Sequence, residues 1–215
     1  NHGQGAETIM RAEALFCQGH FTDAHIELER AYAQVRDNGQ INMALCCDFL
    51  SRRLSLHTDV EQRYTFAERY AELLQYHDAS WINIWCATSA YYHALRGEAE
   101  KIPKIFSQHR LSTVNMLTPG KPMMEMIENQ VYLAQGAYAK VVGRSAELLA
   151  VCEAMHYALV ALHIRIQTAA AYEKLGKTEE ARVWLRKALA DAEPDSFVMP
   201  FVENYDCLQP ILARE

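Results

Sequence analysis

Turn glycines stand at Gly19, Gly97, Gly136 and Gly176, each following an apolar-periodic run long enough for a helix. The last two intervals are 39 and 40 residues, and the first is 78, twice 39. A turn missing from the series falls near position 58, where His57-Thr58-Asp59 separates two helical runs. One helical hairpin cannot bury its own apolar face, so hairpins repeating at this interval must stack. A period of this length is that of an α-solenoid. About five hairpins with a period of about 39 account for nearly the whole 215-residue chain.

The clearest unit is Ala169 to Pro194, AAAYEKLGKTEEARVWLRKALADAEP. Small residues at Ala169 and Ala170 precede Tyr172, and a turn follows at Gly176. Ala181, Leu185, Ala188 and Leu189 then recur at three- and four-residue steps. This pattern describes two amphipathic helices joined by a tight turn, with small residues where they approach closely. It resembles the tetratricopeptide pattern of alanine, aromatic, glycine, alanine, large apolar, alanine and proline. A second match lies at the N-terminus, where Ala12 and Leu15 precede Gly19-His20-Phe21, and Ala24, Leu28 and Ala31 follow. Thr22 or Asp23 is expected to cap the helix after that turn.

Composition agrees with an all-α globular chain. Half the residues are apolar and 22% are charged, and helix formers outnumber β-branched runs. A chain of this length buries about 70% of its unfolded surface, so its stability requires neither metal nor disulfide. The formal net charge is −6. No Lys/Arg cluster exceeds two adjacent residues, which argues against direct nucleic-acid contact by this segment. The six cysteines form no CxxC pair. They read as reduced, mostly buried thiols of a cytoplasmic protein, with no metal site. No apolar run reaches membrane-spanning length. The start at Asn1 reads as the edge of a segment cut from a larger protein.

The expected layout is a single domain over 1–215, with repeats near 6–36, 41–76, 79–108, 123–155 and 158–192 and a cap over 195–215. Helix three is expected over Ile41 to Leu56 and helix four over Asp59 to Gln75. Helix five, Ala79 to Leu95, is the most aromatic, with Trp81, Trp85, Tyr91 and Tyr92. These rings read chiefly as core, the alternative being a stacking surface for a ligand. Pro103 shortens the partner helix to about Glu100 to Gln108. Residues 110–121 are irregular. Helices seven to ten follow over Met123 to Gln135, Tyr138 to Met155, Ala158 to Leu175 and Thr178 to Ala192. Beyond Pro194, DSFVMPFVEN reads as an extended link, and Tyr205 to Arg214 as a capping helix.

The sequence carries none of the common catalytic signatures: no GxSxG, HExxH, P-loop or GxGxxG after a strand. His156 and His163 could share a helical face if no break falls between them. Asp48 and Arg52, four apart, read as a solvated intrahelical ion pair. Met123, Met124 and Met126 fit either core gaps or an adaptable binding surface. In a tetratricopeptide stack the first helix of each hairpin lines a concave groove, with its fifth and ninth residues pointing inward. That register marks Ile9 and Glu13, Asp48 and Arg52, Ala87 and Tyr91, Met126 and Gln130, and Ile166 and Ala170. From these, Glu13, Asp48, Arg52, Tyr91, Met126 and Gln130 are the expected ligand or partner contacts. Their mixture of charge, ring and apolar surface suits a small molecule or peptide.

A family resemblance rests on Leu175-Gly176-Lys177 and Glu180-Ala181, then Ala188-Leu189 and Ala192-Glu193-Pro194. The run Pro200-Phe201-Val202-Glu203 after the last repeat is more specific, and Lys101-Ile102-Pro103 and the period near 39 agree with it. The chain resembles the tetratricopeptide-type sensor region of bacterial MalT/LuxR-type transcription regulators. The resemblance implies an N-terminal ATPase and a C-terminal helix-turn-helix. No Walker motif and no LTxRE-like start occur in these residues, so ATP and DNA would be bound elsewhere and this segment would need no cofactor. Its implied work is non-catalytic: to receive an inducer or protein partner and shift the regulator towards a self-associated form. The alternative is a free-standing tetratricopeptide scaffold that captures a peptide or protein.

Overall fold

Every regular element among the described residues, 5–114 and 120–214 of a computed structural model, is helical. The α-helices are α1 (Ala6–Cys17), α2 (Phe21–Asn38), α3 (Ile41–Leu54), α4 (Phe66–Leu73), α5 (Ala79–Leu95), α6 (Lys104–Ser107), α7 (Lys121–Ala134), α8 (Tyr138–Ala154), α9 (Ala158–Lys174), α10 (Thr178–Ala192), α11 (Met199–Val202) and α12 (Tyr205–Leu212). Neighbouring helices pack on one another in a manner compatible with an α-solenoid. Packing divides the chain into two compact units, Asn1–Tyr92 and His93–Glu215, with α5 spanning the boundary. Among the described residues no helix is long and apolar enough to cross a membrane.

The turns follow two chemistries. Gly19, Gly97, Gly136 and Gly176 all take left-handed backbone at φ 83°, 70°, 73° and 72°, where the absence of Cβ removes the steric cost. The turns that end α2, the segment after α4, α6, α8 and the segment after α10 use Gly39, His77, His109, His156 and Ser196. Four of these are not glycine, yet hold φ between 51° and 57°. His156 therefore breaks the chain between α8 and α9, and does not share a helical face with the buried His163.

In the first unit, α1 packs against α2 and α3. Phe16, Leu28, Leu45, Leu50 and Leu54 are fully buried, each contributing about 1.5–3 kcal/mol. Helix α2 begins at Phe21, with His20 as N-cap and no side-chain capping bond, so the expected Thr22 or Asp23 cap does not form. The expected fourth helix is also corrected: it begins at Phe66 rather than Asp59. Thr65 accepts from the Glu68 backbone at 3.1 Å, and the Glu68 carboxylate accepts from the Thr65 N–H at 2.7 Å. This reciprocal box satisfies two free donors and sets the start of α4. Upstream, side chains tie the loop to α3. Thr58 donates to the Leu54 carbonyl at 2.9 Å, and the Gln62 amide donates to that of Ser51 at 3.0 Å. Trp85 packs into this unit, 4.9 Å from the Tyr70 ring and edge-on to Phe66, while its N–H donates to the Phe66 carbonyl.

In the second unit, α9 is the hub, touching α7, α8, α10, α11 and α12. It is buried almost all round, from Val160 to Ala171 with only Arg165 partly open, as expected of a helix without a polar face. Ala169, Ala170 and Ala171 meet Ala181, Leu185 and Ala188 in one core. The partner helix after Gly97 is shorter than expected. A 3-10 turn covers Ala99–Lys101 and α6 has only four residues, because Pro103 holds Ile102 extended (ψ 126°). In the irregular stretch a 3-10 turn spans Leu111–Thr113, and positions 115–119 lie outside the described residues. The segment after Pro194 is not an extended link. Pro200 sits in the first turn of α11, where its missing N–H costs nothing, and Asn204 donates to the Pro200 carbonyl at 3.1 Å. Leu208 and Ile211 of α12 then cover α9.

Candidate functional site

The expected contact residues are largely consumed by the protein's own packing. Asp48 is buried and accepts from Tyr32 at 2.7 Å and from Arg69 Nε at 2.5 Å, so the expected solvated pair with Arg52 is corrected. Arg52 donates instead to the Tyr64 carbonyl and lies 4.1 Å over the Phe66 ring. The two residues share the lining of a void of about 10 Å³ with Leu45, Phe66, Arg69, Trp85 and Thr88, room for about one water. Glu13 pairs with buried Arg53, whose guanidinium lies 4.7 Å from the Phe16 ring centre and 5.8 Å from that of Tyr91. Glu13 and Tyr91 thus meet through a residue outside the expected set. In the second unit, Met126 and Gln130 are 1% and 6% exposed. Gln167 donates to the Met126 carbonyl at 3.1 Å and to Gln130 Oε1 at 2.9 Å, sealing that face of α7 against α9.

The opposite face of α7 lines a cleft. Lys121, Glu125, Glu128 and Tyr132 recur at four, three and four residues and line a cleft of about 670 Å³ with Lys140, Gly143 and Arg144 of α8. His109, Leu111, Ser112 and Val114 form its other wall. Beside this wall α6 is a single turn. Gln135 ties the end of α7 to the residues after α6. Its amide nitrogen donates to the Ser107 carbonyl at 3.1 Å, and its oxygen accepts from His109 Nε2 at 2.8 Å. That bond holds the His109 ring stacked on Tyr132, with centroids 4.0 Å apart.

The electrostatics are those of a prepared polar surface. Arg144 donates to both Glu125 and Glu128, and Lys121 lies 3.7 Å from Glu125. Burial pulls the Arg144 guanidinium down, but bonding to Glu128 and the charges of both carboxylates outweigh it and hold it above its ordinary value. Burial and the Glu128 charge raise the Tyr132 phenol. Lys140 is exposed and lies 5.2 Å from the Tyr132 ring centre; no carboxylate among the described residues pairs with it. The cleft therefore carries one more fixed cation than anion.

A second cleft, of about 570 Å³, lies where α8 and α10 end beside α9. Arg165 occupies it, paired with Asp191 at 2.7 Å and Glu153 at 3.6 Å. Among the described residues no group of His, Cys, Asp and Glu could hold a metal ion.

Counting into each first helix selected Met126 and Gln130 and missed the face that lines the cleft. Two signals in the sequence pointed to it: Pro103, which shortens α6, and Gly143, a glycine inside a helical run. No family model, curated protein or solved structure significantly matches the chain.

Proposed function

We propose that the chain is a signal-receiving module, a tetratricopeptide-like α-solenoid of the kind found in the sensor region of MalT/LuxR-type transcription regulators. The α7–α8 cleft would be its receiving site. The observation that carries this reading is the cleft itself: a charged hollow of ligand-accommodating size beside the one-turn α6. The sequence resemblance supports the regulator assignment, through the Gly176 hairpin and the Pro200-Phe201-Val202-Glu203 run. In this reading an inducer or partner binds here, ATP and DNA engage other domains, and the segment does no chemistry of its own. Ligand acts by preferring one arrangement of the helices around α7, so the coupling equals its differential affinity for the two states. The test is the coding frame on either side of these residues. A nucleotide-binding ATPase upstream and a helix-turn-helix downstream are expected; a frame with neither overturns the regulator assignment.

A further inference from the structure

We propose that the α7–α8 cleft binds a small organic anion, seated against Lys140 and Lys121 and over the bare backbone of Gly143. The proposal rests on reading the cleft as a small-molecule receiving site. Charge is its support. Lys121, Lys140 and Arg144 face Glu125 and Glu128, so the carboxylates leave one positive charge uncompensated. That charge sits on Lys140, whose ammonium meets a ring and no carboxylate among the described residues. Arg144 is already held by two carboxylates, which makes it the rigid floor and Lys140 the adaptable contact.

Gly143 supplies room beside these charges. It stands in the middle of α8, where glycine is the poorest helix former apart from proline. A Cβ built on it would meet nothing within 4 Å, so packing within the fold does not require its absence. The space over it leaves room for a ligand against the helix backbone. Tyr132 cannot serve as a stacking platform, because His109 covers one of its faces and the Lys140 and Arg144 cations lie near its ring. Recognition is therefore by charge and hydrogen bonding, which selects a polar oxyanion over a flat aromatic one.

The test is calorimetric titration of the whole chain with three probes of similar size: glucose 6-phosphate, gluconate and neutral glucose. Binding of either anion at about 1 mM or tighter, with glucose at least about tenfold weaker, is expected; which anion binds better separates a phosphate from a carboxylate ligand. Lys140→Ala should weaken that binding by about tenfold. Gly143→Ala should weaken it comparably while preserving or raising Tm, because alanine favours the helix. Equal binding of all three probes, binding of neither anion, or unchanged affinity in either folded variant overturns the proposal. Failure here with an ATPase and a helix-turn-helix in the flanking frame removes the ligand class and leaves the regulator reading. Anion binding with no such domains does the reverse.

Discussion

Asp48 on α3 and Arg69 on α4, 21 residues apart, form a buried ion pair in the first unit. The carboxylate uses both oxygens, accepting from Arg69 Nε and Nη2 while Tyr32 donates to Oδ1. Arg69 also donates to Glu72 and lies 4.0 Å over the Tyr64 ring. Burial lowers the Arg69 guanidinium, but the bond and charge of Asp48 and the charge of Glu72 overcome it and raise it well above its ordinary value. Removing one partner strands the other charge out of water. Asp48→Asn and Arg69→Met should each cost about 3–5 kcal/mol in urea unfolding. Glu72→Gln, at a half-open carboxylate, should cost under about 1 kcal/mol.

Tyr32 extends this network into a pH dependence. Burial first, then the charge of Asp48, raises its phenol well above the ordinary value of 10.0. A raised folded value means that the folded state holds the proton more tightly than the unfolded one. The stabilisation is complete below the unfolded value and is lost as pH rises from there through the folded value. Wild-type stability should therefore fall more steeply above about pH 10 than that of Tyr32→Phe. Parallel pH-dependent unfolding curves for the two proteins would contradict this.

Glu98 gives the opposite sign. Its carboxylate is bonded to His93 at 2.7 Å and to Arg96 at 2.9 Å, with Lys101 at 3.2 Å. Bonding to His93 first, then to Arg96, lowers it to about 2. The stabilisation from this cluster is present above the ordinary carboxylate range and is lost as pH falls through about 2. Carboxyl NMR titration should place the Glu98 midpoint well below the ordinary carboxylate range; a midpoint in that range would count against the cluster.

The cap on α9 should be energetically large. Leu208 has no exposed surface, whereas Val202 is 45% exposed. Leu208→Ala opens a cavity against α9 and should cost about 2–5 kcal/mol. Val202→Ala should stay within about 0.5 kcal/mol. Equal losses in denaturant titrations would mean that α12 does not seal the core.

Ser196 closes the turn after α10 with left-handed backbone at φ 56°. Left-handed backbone costs an L-residue about 1–2 kcal/mol, and glycine escapes that cost but loses more entropy on folding. Ser196→Gly should raise stability by up to about 1 kcal/mol, read as an increase in Tm. A decrease would show that the serine side chain stabilises the turn by more than its backbone strain costs.

Much of the helix layout was legible because it depends on short-range chemistry. Ala158–Lys174 and Thr178–Ala192 sit where the Gly176 turn and the apolar steps place them. The start of α4 was legible too, in the capping box of Thr65 and Glu68, but periodicity drew the helix seven residues too long at that end. His77, His109, His156 and Ser196 were not legible as left-handed turns, since that backbone runs against their intrinsic preference. At the candidate site, the face of α7 was misassigned. Met126 and Gln130 follow the register of a regular stack, whereas the face that lines the cleft carries Glu125, Glu128 and Tyr132.

The sequence by itself determined the all-helical class, the positions of the glycine turns, the short α6 after Pro103 and the net negative charge. These follow from backbone preferences and hydrophobic period, which act within a few residues of one another. Only the tertiary structure decided that Asp48 pairs with Arg69, that Gln167 seals Gln130, and that Lys140, Gly143 and Arg144 face Glu125 and Glu128 across an open cleft. Those choices join residues far apart in the chain and depend on which helix faces remain uncovered once the neighbours have packed. Local pattern alone does not settle which face lines a cleft, because that depends on how the other helices pack.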